Sequence, residues 1–145
     1  MASVFIIKEK INNPKEWYDK VMQNDEKWEY DDILESYHTG NVYLTEKENS
    51  TSFEDMSEEV FFGWETSSWI EAADNKELIY GFYNDDNCCA EFVHIKDGKC
   101  IRDYREYDNE IDTNEGDIPQ FNNWIEVAGY VDEEIFNIMK MKRRM

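Results

Sequence analysis

The clearest hydrophobic pattern in the chain lies between Glu77 and Tyr107, where three apolar runs are separated by two turn-forming segments. Leu78, Tyr80 and Phe82 take alternate positions of the first run, the period of a strand with one face on a core. Asn84-Asp85-Asp86-Asn87 follows, four residues that tolerate turn and left-handed conformations. The second run is Cys88 to Ile95, and Asp97-Gly98 after it is a strong hairpin signal between apolar runs. In the third run, Cys100 to Tyr107, alternation puts Ile101, Asp103 and Arg105 on one face and Arg102, Tyr104 and Glu106 on the other. That run is less apolar than its neighbours, which predicts a wet face or a place near a sheet edge. Together the three runs predict a β-meander that serves as the spine of the fold.

The flanking segments read as follows. Val4 to Ile7 is a short strand of buried type. Asn13-Pro14-Lys15-Glu16 is a helix start, with Asn13 to cap, Pro14 at the first helical position and Glu16 to reach back. Trp17, Tyr18, Val21 and Met22 then share one helical face, and Tyr30, Ile33, Leu34 and Tyr37 repeat the i, i+3, i+4, i+7 spacing of a second helical segment that Gly40 ends. Asn41 to Glu46 is a strand and the polar stretch after it a loop. Ser52-Phe53-Glu54-Asp55 has capping-box form and predicts a turn or two of helix. Val60 to Ile70 is aromatic and β-prone, with Val60, Phe62 and Trp64 on one face. Asp108 to Asp117 is an acidic loop. Pro119 opens a helix carrying Phe121, Trp124, Ile125 and Ala128, which Gly129 ends, and Asp132 caps a last helix striped with Val131, Ile135, Ile138 and Met139. The tail from Lys140 to Met145 places bases where they suit the dipole of a helix C-terminus.

These elements predict an α+β fold in one domain, residues 1–145. Its sheet is mostly antiparallel, with about five or six strands built on the meander. Helices from the N- and C-terminal parts pack on one face.

Composition supports a folded chain: 41% of the 145 residues are hydrophobic and 15% aromatic, enough for a sizeable core. Charge narrows the partners. Thirty-four acids against 15 bases give a net charge of -19, which repels nucleic-acid phosphates and anionic membrane surfaces and favours basic partners. No run is long and apolar enough to span a bilayer, and the N-terminus has neither the basic region nor the apolar length of a signal peptide. Three cysteines, two of them adjacent at Cys88-Cys89, argue against a disulfide framework and for a reducing cytoplasm.

The charge is unevenly placed. Glu48 to Asp74 contains eight acids and no Lys or Arg; Glu106 to Met139 contains ten acids and again no base. The meander between them is nearly balanced and reads as scaffold. One account of the acidic windows is solvated surface. The sharper account is that the two windows meet and form a binding face that steers a basic protein, through Glu58, Glu59 and Glu65 from the first window and Glu106, Asp108, Glu110, Asp112, Glu115 and Asp117 from the second. Aromatics interleave with these acids (Phe53, Phe61, Trp64, Trp69, Tyr107, Phe121, Trp124 and Tyr130), as anchors do in protein interfaces. For Phe121 and Trp124, on a helical stripe, core packing is the better account.

Candidate chemistry is sparse. Counted from Asp108, a calcium loop needs Gly at its sixth position and Glu at its twelfth, but Thr113 and Pro119 stand there. His38, His94 and the three cysteines lack zinc-site spacing. His94 reads as a half-buried strand residue, with Asp103 or Glu106 its conceivable partner as a general base. No phosphate-binding loop, dinucleotide fingerprint or nucleophile elbow is present. The sequence therefore predicts a non-enzymatic, cofactor-free binding protein of inhibitor or immunity type that neutralises a basic, nucleic-acid-directed toxin or enzyme. One alternative is a small-ligand or enzyme pocket lined by Trp64, Tyr80, Phe82 and Tyr104. Another is an acidic subunit of a larger assembly.

Overall fold

Ala2–Ile7 is buried at every position, the pattern of a strand covered on both faces, and it is the central strand of the sheet. The computed structural model describes residues 2–140. Among them nine strands form one antiparallel sheet: β1 Ala2–Ile7, β2 Trp28–Asp31, β3 Ser36–Thr39, β4 Val42–Glu46, β5 Thr51–Asp55, β6 Leu78–Asn84, β7 Cys89–Lys96, β8 Lys99–Tyr107 and β9 Glu110–Glu115. Their order is β2-β3-β4-β5-β1-β6-β7-β8-β9, so the chain starts in the middle, crosses to one edge and builds that half inward, then builds the other half outward. Helices α1 Pro14–Val21 and α2 Thr66–Ala73 link the strands, and α3 Trp124–Tyr130 runs through a π turn, Val131–Ile135, into α4 Phe136–Lys140.

The expected class holds, and the meander is β6-β7-β8, with Asp97 and Gly98 both at positive φ in its second turn. The count of about five or six strands is too low. Three segments account for this. Tyr30, Ile33, Leu34 and Tyr37 form no helix: Tyr30 and Tyr37 are cross-strand partners in the β2–β3 hairpin, their rings 5.0 Å apart. Ile33 and Leu34 sit in the turn between them, where the Asp31 carboxylate accepts both of their amides at 2.9 Å. An Asx turn thus overrides a helical spacing. The capping box at Ser52–Asp55 is strand β5, paired on both sides, with Phe53 wholly buried against Phe5. The acidic loop after Tyr107 is a hairpin arm, β9, because Asp108 and Asn109 both take positive φ and close a tight turn.

Helices cover both faces rather than one. On the first face α1 and α2 pack over Phe5, Phe53, Leu78, Tyr80, Val93 and Ile95; Trp69 of α2 lies stacked on Tyr80 at 4.3 Å. On the second face α3 and the π turn cover Val4, Ile79, Phe92 and Tyr104 through Val127, Val131 and Ile135, joined by Phe121 from the segment before α3, which starts at Trp124 rather than at Pro119. The two apolar cores follow from β1 and the meander being apolar on both sides of the pleat. The predicted stripe of Val131, Ile135, Ile138 and Met139 faces this core, but neither Gly129 nor Asp132 acts as expected: the helix runs on past Gly129, and Asp132 accepts the Tyr83 hydroxyl. Asn13 precedes α1 but gives it no side-chain cap, while Pro14 holds the first helical position. The basic tail after Lys140 lies outside the described residues.

Gly81 sets how closely the second-face helix approaches. A Cβ there would stand 2.8 Å from both Ile135 Cδ1 and Val131 Cγ2. Gly81→Ala is therefore expected to cost about 1–3 kcal/mol by overpacking, read as a lower urea midpoint with an unchanged slope. A neutral result would mean that the helix is free to slide outward.

Candidate functional site

The stretch from Met56 to Glu65 is neither strand nor helix but a strap laid over β8. The sequence reads Val60–Ile70 as β-prone; its second half is α2, with Trp69, Ala72 and Ala73 buried, and its first half lacks a strand partner. Asp55 turns the chain, its carboxylate accepting Ser57 N at 3.0 Å, Ser57 Oγ at 2.7 Å and Val60 N at 2.7 Å. Beyond this turn the strap follows β8 two residues at a time. Phe62 meets Tyr107, ring centroids 5.9 Å apart; the Trp64 carbonyl accepts Arg105 Nη1 at 2.7 Å; the Thr66 hydroxyl donates to Asp103 Oδ2.

What fastens the strap is a buried polar network. Glu91 is fully buried, and both of its carboxylate oxygens lie 3.1 Å from the Gly63 amide. Tyr80 donates to Oε1 at 2.7 Å and Tyr107 donates to Oε2, while Arg105 Nη1 stands 3.6 Å from Oε2. Arg105 Nε also donates to Asp103 Oδ1 at 2.6 Å. Two carboxylates thus share one guanidinium and every member has hydrogen-bond partners, the condition under which buried charge is tolerated. Burial by itself would lower the Arg105 pKa, but the Asp103 hydrogen bond and charge outweigh it and hold the guanidinium above its ordinary value.

Burial, reinforced by the Glu91 charge and hydrogen bond, pushes the Tyr80 and Tyr107 phenols well above their usual range. A phenol so raised stays neutral in the folded state while the unfolded chain ionises. Its contribution is therefore complete below about pH 10 and is lost as pH rises further. The urea midpoint is expected to hold from neutrality to about pH 9 and fall above about pH 10, with a shallower fall in Tyr107→Phe. An identical fall in the variant would separate Tyr107 from the effect.

The strap places one acidic window beside the other. Glu59 and Glu65 on it are exposed, as are Asp108, Glu110, Asp112, Glu115 and Asp117 on and around β9, the sheet's edge strand next to β8. At one end Thr66 and Asp103 share a hollow of about 160 Å³ with Glu115 and Gly116; at the other, Glu58 is half-buried and takes a 3.3 Å bond from Asn84 Nδ2. Glu106 stands apart from this set. It is buried on the second face, where Tyr104 donates to its Oε1 at 2.8 Å, so its carboxylate does not reach the acidic surface.

The aromatics divide. Phe53, Phe61, Trp69 and Phe121 are core, and Trp124 and Tyr130 are partly buried against it. The residue that sequence reasoning passed over is Phe62, 43% exposed, alongside Met56 and Val60. Its ring lies 5.0 Å from Phe82. The strap is thus a ridge of apolar side chains among acids, with a hollow on each side. A cleft of about 610 Å³ runs toward α1 and the β3–β4 turn, and a groove of about 410 Å³ runs toward the β6–β7 turn.

The pocket expected among Trp64, Tyr80, Phe82 and Tyr104 does not form. Tyr80 and Tyr104 lie on opposite faces of the sheet and both are fully buried. His94 meets neither Asp103 nor Glu106; its Nε2 pairs with Glu77 at 2.7 Å. His38 Nδ1 bonds the Gly40 carbonyl at 2.9 Å. The three cysteines are free, and no His, Cys, Asp and Glu group among the described residues is arranged to hold a metal ion. Among the described residues no helix is long and apolar enough to cross a membrane. Comparison with protein-family models, curated proteins and solved structures gives no match.

Proposed function

We propose that the strap and β9 together form a docking face for a basic protein, and that the protein is an inhibitor of immunity type. In this reading it neutralises a nucleic-acid-directed toxin or enzyme by covering its basic surface. The observation that carries the reading is the register of the strap over β8. It lays the base-free strap, with Met56, Val60 and Phe62 exposed on it, over β8, the strand that pairs with the acidic edge strand β9. Charge in such a rim speeds encounter, and aromatic or aliphatic anchors within it supply affinity.

Part of the β9 charge has a second role. β9 is an unpaired edge, and acids along an edge, together with the register shift beside Thr113, discourage edge-to-edge association of copies. The same acids that repel a second copy attract a basic chain.

The test is affinity capture from the cells that make the protein, comparing it with Glu110→Lys/Asp112→Lys/Glu115→Lys. These positions are exposed and lie in excess negative charge, so reversal leaves folding intact. The unaltered protein is expected to retain one basic protein that the variant loses. Equal retention would move the interface elsewhere.

A small-ligand reading has one observation in its favour. The cleft of about 610 Å³ is of ligand size, and its lining includes Asp25, Glu26 and Glu59 but no Lys or Arg, so it would select a cation.

A further inference from the structure

The groove between the strap and the β6–β7 turn has a composition that the acids alone do not explain. We infer that it is the seat of a single arginine side chain from the basic partner, an inference that rests on the docking reading above. Its apolar part is Met56, the partly exposed Phe62, and the buried Phe82, with the Phe62 and Phe82 rings 5.0 Å apart. Its polar part is Ser57, Glu58, Glu59, Asn84 and Asn87, and no Lys or Arg lines it. A ligand that fits both parts has an apolar stem and a cationic tip.

Arginine meets the requirement more fully than lysine. Its methylenes lie along apolar surface while its head stays polar, and its planar head stacks on an aromatic face. Glu58 supplies the charge. Asn84 Nδ2 occupies its Oε1 at 3.3 Å, and its Oε2 accepts no hydrogen bond among the described residues. Burial raises the Glu58 carboxyl above its usual range, opposed first by the charge of the chain's amino terminus and then by the Asn84 bond, and reinforced by Asp55 and Asp85, so the carboxylate is one that a cation stabilises. The groove is also built in advance: Gly63 and Trp64, the residues that follow Phe62, are tied to Glu91 and Arg105. Binding therefore orders little that is not already ordered.

The discriminating experiment is an amide-shift titration of the intact protein with three capped tripeptides, Gly-Arg-Gly, Gly-citrulline-Gly and Gly-norleucine-Gly. Citrulline keeps the shape of arginine without its charge, and norleucine keeps only the stem. The arginine peptide is expected to bind in the millimolar range and to shift the amides of Glu58, Phe62, Asn84 and Cys89. Citrulline and norleucine should shift them far less. Glu58→Gln is expected to weaken the arginine peptide roughly tenfold, and Phe62→Leu, which keeps an apolar contact but removes the ring, to weaken it less. Equal shifts with citrulline would overturn the proposal. Shifts confined to Asp112, Thr113 and Glu115 would overturn the groove while leaving the acidic edge as a docking face. No charge-dependent shift anywhere would overturn both.

Discussion

Arg105→Met is expected to destabilise the protein by about 3–5 kcal/mol, among the largest effects of any single substitution outside the apolar core. Methionine matches the stem in length but leaves Glu91 and Asp103 buried as two carboxylates with no counter-charge, and leaves the Trp64 carbonyl without its donor. The penalty comes from the stranded charges more than from the lost bonds. Arg105→Lys keeps the charge but cannot bond Asp103 and Trp64 together through a planar fork, so it should fall between the two. Urea unfolding at neutral pH measures the cost. Exchange of the Gly63 amide, which rests on Glu91, reports whether the strap lifts before the sheet unfolds. A loss under about 1 kcal/mol with Gly63 still protected would mean that the network does not fasten the strap.

Phe62→Ala is expected to separate binding from folding. The ring is 43% exposed and packs against Phe82 and Tyr107, so truncation should lower stability by about 1 kcal/mol. Anchors of this kind at the centre of an interface lose about 2 kcal/mol or more of binding, roughly thirtyfold in affinity. A variant with normal partner affinity would remove Phe62 from the interface. One as destabilised as a core aromatic, by about 3–5 kcal/mol, would show that the ring is structural.

How much of this was legible from the sequence depends on the distance over which each residue acts. The meander was legible because alternation and Asp97-Gly98 are local signals. The strand Trp28–Asp31 was not, because Tyr30 and Tyr37 have the same spacing across a tight hairpin as along two turns of helix, and only the Asp31 side chain decides between them. The acidic candidates were found as charge, yet Glu106 is buried and Glu58 half-buried, since charge in sequence does not say which face of a strand is covered. The polarity of the meander's third run points to a wet face or a place near a sheet edge, and β8 does lie one strand from the edge. Its faces are not wet: Arg102 to Glu106 are all buried, because the strap and the second-face helix cover them and their charges pair internally or bond carbonyls. The strap was the largest omission. A base-free stretch with Gly63 and three aromatics resembles a strand until Glu91, 28 residues on, is known to hold its backbone.

The docking claim is tested most directly by titration calorimetry of the captured basic partner against the intact protein and against Glu110→Lys/Asp112→Lys/Glu115→Lys, at about 50 mM and about 300 mM salt. Affinity is expected to fall at least about tenfold across that salt range for the intact protein, and about tenfold or more on charge reversal at low salt, with thermal stability unchanged. An affinity that neither salt nor reversal alters would contradict an acidic docking face.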